Sequence, residues 1–250
     1  MNRLWQRIYF VYAVTVFIAL LLIVFPLAVI ASLFGKTTGT NLVFRICNVW
    51  ADVWFFLAGL RYQAIYETPV PKDESVVFIA NHLSYLDGPI LARTIRQPVR
   101  ALGKVETARI PLFGYVYKNA IVTVDRSSPA NRRKSLRQLQ QMLAKGISVF
   151  VFPEGTFNQT GKPLKDMYDG AFRLALETGK PLHPVLFVDS YARMPYESLT
   201  SLNPGPCRVV YLKPIAVDSM IMADLPKLKQ MAADQMSEAL IRYKASWIKP

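Results

Sequence analysis

Histidine and cysteine are scarce in this chain of 250 residues, with two of each. Cys47 and Cys207 stand far apart and form no C-x-x-C spacing. A structural zinc site or a disulfide framework is therefore not expected, and two free thiols in a reducing compartment is the plain reading. Charge is thin as well, 19% of residues against 52% hydrophobic. Acid is the thinner half: 17 Asp and Glu against 30 Lys and Arg leave a net charge of +13. A surface this basic suits nucleic acid, or else anionic lipid and phosphate-bearing substrates. No helix-turn-helix, zinc-finger or RNP-type signature accompanies the charge, so no nucleic-acid partner is expected. Two catalytic devices are missing too. There is no G-x-S-x-G elbow to expose a nucleophilic serine. Gly155 to Lys162 imitates a phosphate-binding P-loop, but its spacing is one residue too long and Pro163 stands where Ser or Thr is required.

One further absence decides the partner. Ile8 to Phe34 contains no charged residue, with Arg3 and Arg7 before it and Lys36 after it. That length suits a membrane helix. It exceeds the apolar core of a secretory signal, and no small-x-small cleavage site ends it. Leu42 to Leu60 is a second apolar segment, interrupted by Arg45 and Asp52 and rich in Trp and Phe. Charges are costly at a bilayer centre and Trp favours the interface, so this segment reads as an interfacial or re-entrant helix. The pair reads either as a hairpin sunk into one leaflet or as a span plus a surface helix. Residues 1–60 are thus expected to anchor the chain, and 61–250 to form the globular catalytic domain.

From Arg61 onward, short apolar runs alternate with helical stretches. Strands are expected at Val76–Ala80, Val99–Leu102, Ala120–Val124, Ile147–Phe152, Leu182–Val188 and Arg208–Leu212. Helices are expected at Pro89–Arg96, Pro129–Lys145, Asp169–Thr178 and Ala223–Trp247. The fold class is α/β: a single mixed, mostly parallel sheet flanked by helices, preceded by an N-terminal membrane-embedded helical pair. Ten Lys or Arg lie between Arg100 and Lys145, against only Glu106 and Asp125. They form a solvated face or a contact for anionic head groups.

The chemistry gathers where strands end. After Val76–Ala80 come Asn81, His82, Leu83, Ser84, Tyr85, Leu86 and Asp87. A histidine can take a proton from a hydroxyl that attacks a carbonyl, and a carboxylate on the other ring nitrogen fixes its tautomer. Five residues apart on a regular helix is about 140°, so this pair needs an irregular turn. An ordinary loop with a capping aspartate would read the same way. Without an elbow nucleophile, the hydroxyl to be activated belongs to the substrate. A second strand runs into Pro153, Glu154, Gly155 and Thr156, at the same sheet edge if the strands are parallel. Lys104 and Arg126 each follow a strand; a cation there could receive a phosphate, and either residue taken alone reads as readily as one half of a surface ion pair, for instance with Asp125.

Taken together these residues resemble the glycerolipid acyltransferase family, in particular PlsC-like 1-acylglycerol-3-phosphate acyltransferases. Asn81–Asp87 matches the first motif, N-H-x4-D; Lys104 to Gly114 and on to Arg126 looks like the second; Phe152–Thr156 like the third; Leu182–Val185 like the fourth. The resemblance covers about Glu74 to Pro214. It implies that His82 and Asp87 are catalytic, and that Asn81, Lys104, Arg126, Glu154, Gly155 and Thr156 serve substrate binding. It implies no metal, no cofactor and no covalent intermediate. The donor would be acyl-CoA or an acyl-carrier protein, the acceptor a lysophospholipid, and the product phosphatidic acid for phospholipid biosynthesis. The place would be an anionic membrane surface, on the cytoplasmic face of a bacterial inner membrane. The third motif usually continues with Arg, serving the acceptor phosphate; here Phe157 stands there. Arg126, Lys104 or Lys165 would then supply the charge, or the acceptor is another lysolipid such as an aminoacyl lipid. A catalytically silent lipid-binding protein is the rival from a different class.

Overall fold

The computed structural model describes residues 3–70, 74–124 and 129–249. Two long helices come first, α1 (Arg3–Ser32) and α2 (Thr40–Leu57). Then follow β1 (Leu60–Tyr66), β2 (Val77–Ala80), α3 (Asp87–Thr94), β3 (Val99–Lys104), α4 (Phe113–Ala120), β4 (Ile121–Val124), α5 (Pro129–Ala144) and β5 (Ser148–Val151). The chain ends with α6 (Gly170–Thr178), β6 (Leu182–Phe187), α7 (Ser190–Arg193), β7 (Gly205–Tyr211) and α8 (Leu225–Arg242).

The seven strands form one sheet in the order β1-β7-β6-β2-β5-β3-β4. Every pairing is parallel except β6 with β7. Five strands, β6-β2-β5-β3-β4, therefore end on one edge. Their sequences explain the centre: Val77–Ala80 and Ser148–Val151 are buried throughout, as continuous apolar strands covered by helices on both faces must be. Fully burying a side chain such as Phe78 contributes about 1.5–3 kcal/mol. Each expected strand is present, with no end displaced by more than three residues. β1 was not expected. Its burial alternates from Leu60 through Arg61, Tyr62 and Gln63, and it pairs with β7 from Leu60 opposite Gly205 to Tyr66 opposite Tyr211.

The two faces are covered differently. Ala13, Val24, Ala28, Val43, Phe44, Trp54 and Phe55 of α1 and α2 join Ile90 of α3 and Val116 of α4 in a cluster with Phe78 and Phe150 of the sheet. On the other face Leu139 and Leu143 of α5, Phe172 and Leu174 of α6 and Leu228 and Met236 of α8 pack on Val77, Val149 and Leu186. Residues 1–60 thus share a core with the sheet. α4, which was not expected as a helix, docks closely: a Cβ on Gly114 would lie 2.2 Å from the Ala108 carbonyl oxygen, so only glycine fits there.

Among the described residues one helix, Leu4–Ser32, is long and apolar enough to cross a membrane. Arg100, counted above among surface cations, is instead buried. Its guanidinium donates to the Val99 carbonyl at 2.8 Å, to Asn41 Oδ1 at 2.8 Å and to Thr40 Oγ1, clasping the turn between α1 and α2. The remaining basic stretch on α5 lies on the sheet face opposite α1 and α2.

Candidate active site

His82 lies just beyond β2, where parallel strands end. Its Nδ1 is 2.7 Å from Asp87 Oδ2. The same oxygen accepts the backbone N–H of Leu83 at 2.8 Å and of Ser84 at 2.9 Å. The irregular turn demanded by the spacing is therefore built around the carboxylate, and Asp87 opens α3. Asp87 is fully buried while the His82 side chain is 21% exposed. With Nδ1–H donated to Asp87, Nε2 is left as a base at the surface. Phe152 stacks on the imidazole at 4.2 Å with 18° between planes, and Phe157 meets it edge-on at 4.6 Å.

Glu154 is wholly buried beside this pair. Oε1 accepts the His82 backbone N–H and Oε2 that of Lys165, both at 2.9 Å. Burial pushes its carboxyl up to about 7, while the two amides and Lys165 draw it back. Both carboxylate oxygens thus hold loops together, and the residue fixes where His82 stands. Gly155 adopts φ +73°, a turn that favours glycine. Thr156 is exposed, and Lys165 Nζ donates to its Oγ1.

The other sequence candidates fall in three places. The Asn81 amide is buried, donating to the Phe187 carbonyl at 3.1 Å and accepting the Phe187 N–H at 2.9 Å, which ties the β2 loop to β6. Lys104 ends β3 and is exposed on the same edge, two strands or about 10 Å from β2. Arg126 lies outside the described residues. So His82, Asp87, Glu154, Gly155, Thr156 and Lys165 come together, and Lys104 flanks them. Residues not foreseen are Phe152, whose ring supports the imidazole, and Ser84, whose Oγ donates to the Met194 carbonyl at 2.6 Å. Nothing local in sequence marks such contacts, because they join loops of different strands. Of the two histidines, His183 stands inside β6, fully buried among Phe78 and Tyr211. Burial pushes it down to about 4, against a small pull from the Leu212 backbone. A base must reach solvent and a partner; only His82 does.

An imidazole oriented by a buried carboxylate and 21% exposed at the strand edge can deprotonate a substrate hydroxyl. The family described as Acyltransferase matches residues 63–188, about half the chain and all of these groups. The chain is 31% identical over 172 residues to a chloroplastic 1-acyl-sn-glycerol-3-phosphate acyltransferase of Brassica napus, 68% of this chain and 49% of that protein. It is 28% identical over 163 residues to a 1-acyl-sn-glycerol-3-phosphate acyltransferase of Salmonella typhimurium, 64% of this chain and 65% of that one. It spans about half the length of the first of these relatives. Its fold is similar to the crystal structure of PlsC, a 1-acyl-sn-glycerophosphate acyltransferase from Thermotoga maritima, with TM-score 0.73, 21% identity and 98% of both chains covered.

Proposed function

The chain belongs to the acyltransferase family, and on that premise we propose that it transfers a fatty acyl group from a thioester to the free hydroxyl of a lysophospholipid, with 1-acylglycerol-3-phosphate as the acceptor its relatives' names point to and phosphatidic acid as the product. The observation that carries this is the 2.7 Å contact between His82 Nδ1 and Asp87. His82 Nε2 takes the proton from the acceptor hydroxyl as its oxygen attacks the thioester carbonyl. Asp87 stabilises the imidazolium that forms. The tetrahedral intermediate collapses with release of the thiolate, which takes the proton back from His82. The hydroxyl comes from the substrate, so no protein nucleophile is acylated. No metal or cofactor enters this reading, and the donor is acyl-CoA or an acyl-carrier protein.

The apolar helix Leu4–Ser32 supports placement at a membrane, where acceptor and product both reside. For the acceptor phosphate, Lys165 beside Thr156 and Lys104 at the end of β3 are the candidate cations. The test is acyl transfer from acyl-CoA to 1-acylglycerol-3-phosphate by detergent-solubilised protein. Wild type should form phosphatidic acid and His82→Ala should lose at least about a hundredfold in kcat. Activity of His82→Ala within a few-fold of wild type would sink the mechanism.

A further inference from the structure

The two flanks of His82 differ in chemistry. Toward β3 the sheet edge carries the cation Lys104. Around His82 and toward β6 it carries rings, delivered by the loops after three adjacent strands, β6, β2 and β5, the last of which also holds Lys165 beside Thr156. Phe157 lies almost perpendicular to Tyr85, with centroids 4.8 Å apart at 81°. It lies nearly parallel to Tyr196 at 6.3 Å, and Tyr196 leads on to Tyr191 at 5.6 Å. The Ser84–Met194 hydrogen bond ties the first of these loops to the last. Tyr85 is 55% exposed, so a ring of this wall is open to a ligand. At the outer end Tyr191 donates to Glu197 Oε1 at 2.9 Å, and Glu197 is itself exposed.

Ring faces carry negative quadrupole density that attracts cations, and a carboxylate at the rim supplies the full counter-charge. A wall for an acyl chain would need neither hydroxylated rings nor an acid. We propose that Tyr85, Phe157 and Tyr196, with Glu197 at the rim, bind the ammonium group of an acceptor lipid, so that ammonium-bearing lysolipids are acceptors of this protein. The proposal rests on the acyl-transfer reading above and names the head group which that site takes. In it the hydroxyl sits over His82 Nε2 and the ammonium reaches past Phe157 toward Glu197.

The experiment compares three acceptors under one acyl thioester with the full-length protein: a 1-acyl lysophosphatidylethanolamine, 1-acylglycerol-3-phosphate and uncharged 1-acylglycerol. Wild type should prefer the ammonium acceptor over 1-acylglycerol in kcat/KM. Phe157→Leu and Glu197→Gln should each lower that preference about tenfold, or about 1.4 kcal/mol. Phe157→Arg should reverse it in favour of 1-acylglycerol-3-phosphate. Equal losses on all three acceptors would overturn the proposal and leave the rings as a support for His82. A preference for 1-acylglycerol kept by Glu197→Gln would overturn it in favour of an apolar wall. Wild type that acylates 1-acylglycerol-3-phosphate with no ammonium preference overturns the proposal alone. Wild type that acylates none of the three overturns the acyl-transfer reading, and the proposal falls with it.

Discussion

Asp87 accepts three hydrogen bonds through one oxygen, and that economy sets what its replacement does. In Asp87→Asn the side chain is nearly isosteric but uncharged. An amide N–H turned toward His82 would require the tautomer with the proton on Nε2, where a base is needed. We expect kcat to fall by about 10² to 10⁴ with KM little changed, measured by steady-state thioester turnover. Turnover within threefold of wild type would show that the carboxylate does not orient His82. His183 gives a different prediction, about stability. The unfolded chain protonates this ring near 6.5 but the folded chain holds it neutral down to about 4. The contribution to stability is therefore complete above about pH 6.5 and is lost as pH falls from there to about 4, a loss of about 3 kcal/mol. In His183→Phe the fall in Tm between pH 7 and pH 4.5 should be distinctly smaller than in wild type. An identical fall would assign the acid sensitivity to other groups. At this scale the contact between His82 and Asp87 was legible in the sequence, since a histidine beside an acid after a strand is a local pattern. Asn81 was not legible in its role, because its amide answers to Phe187, 106 residues away.

The elements that could be read were those whose apolar pattern is complete in itself. β2 and β5 are short runs buried on every residue, and α5 shows Leu136, Leu139 and Leu143 along one face. Besides the single turn of α7, two elements escaped, for opposite reasons. In β1 the alternation of Leu60, Tyr62 and Ala64 directly follows the apolar α2, which hides where one element ends and the next begins. In α4 the sequence Phe-Gly-Tyr-Val-Tyr-Lys-Asn-Ala is poor in helix formers. It is helical because its faces meet the N-terminal helices: Phe113 lies 6.2 Å from Phe17, Phe25 lies 5.7 Å from Tyr115, and the Tyr115 hydroxyl is 2.7 Å from Ser32 Oγ. Tertiary contact overrides propensity here, and one sequence holds no record of the partner. The same limit applies to Arg100, which looked like one more surface cation and instead clasps Thr40 and Asn41.

At the scale of the whole molecule, α1 bears on the proposed placement at a membrane. With 30 residues it is about 45 Å long, enough to cross hydrocarbon about 30 Å thick. Yet both of its ends are tied to the rest of the fold. Near the start Gln6 donates to the Ser201 carbonyl at 3.0 Å and the Tyr9 hydroxyl to that of Ala58 at 2.5 Å. Midway Trp54 Nε1 donates to the Ala13 carbonyl at 3.0 Å, and at the far end Ser32 meets Tyr115. While these contacts hold, the two ends of α1 stay beside the rest of the fold, and the proposed placement at a membrane then needs no end of the helix on the opposite side. Its outer stripe, including Ile8, Val11, Ile18, Leu22 and Ile30, is exposed and apolar. That face suits burial in a single leaflet, with the domain lying on the surface. Arg7 and Lys36 flank the apolar run and are both exposed, so they report the topology. With Cys47 and Cys207 replaced by Ala, single cysteines at Arg7→Cys and Lys36→Cys should both react with a membrane-impermeant maleimide added from the side of the catalytic domain. Labelling of only one until the vesicles are permeabilised would mean that α1 crosses the bilayer and that its contacts with Ser201 and Ala58 do not persist there.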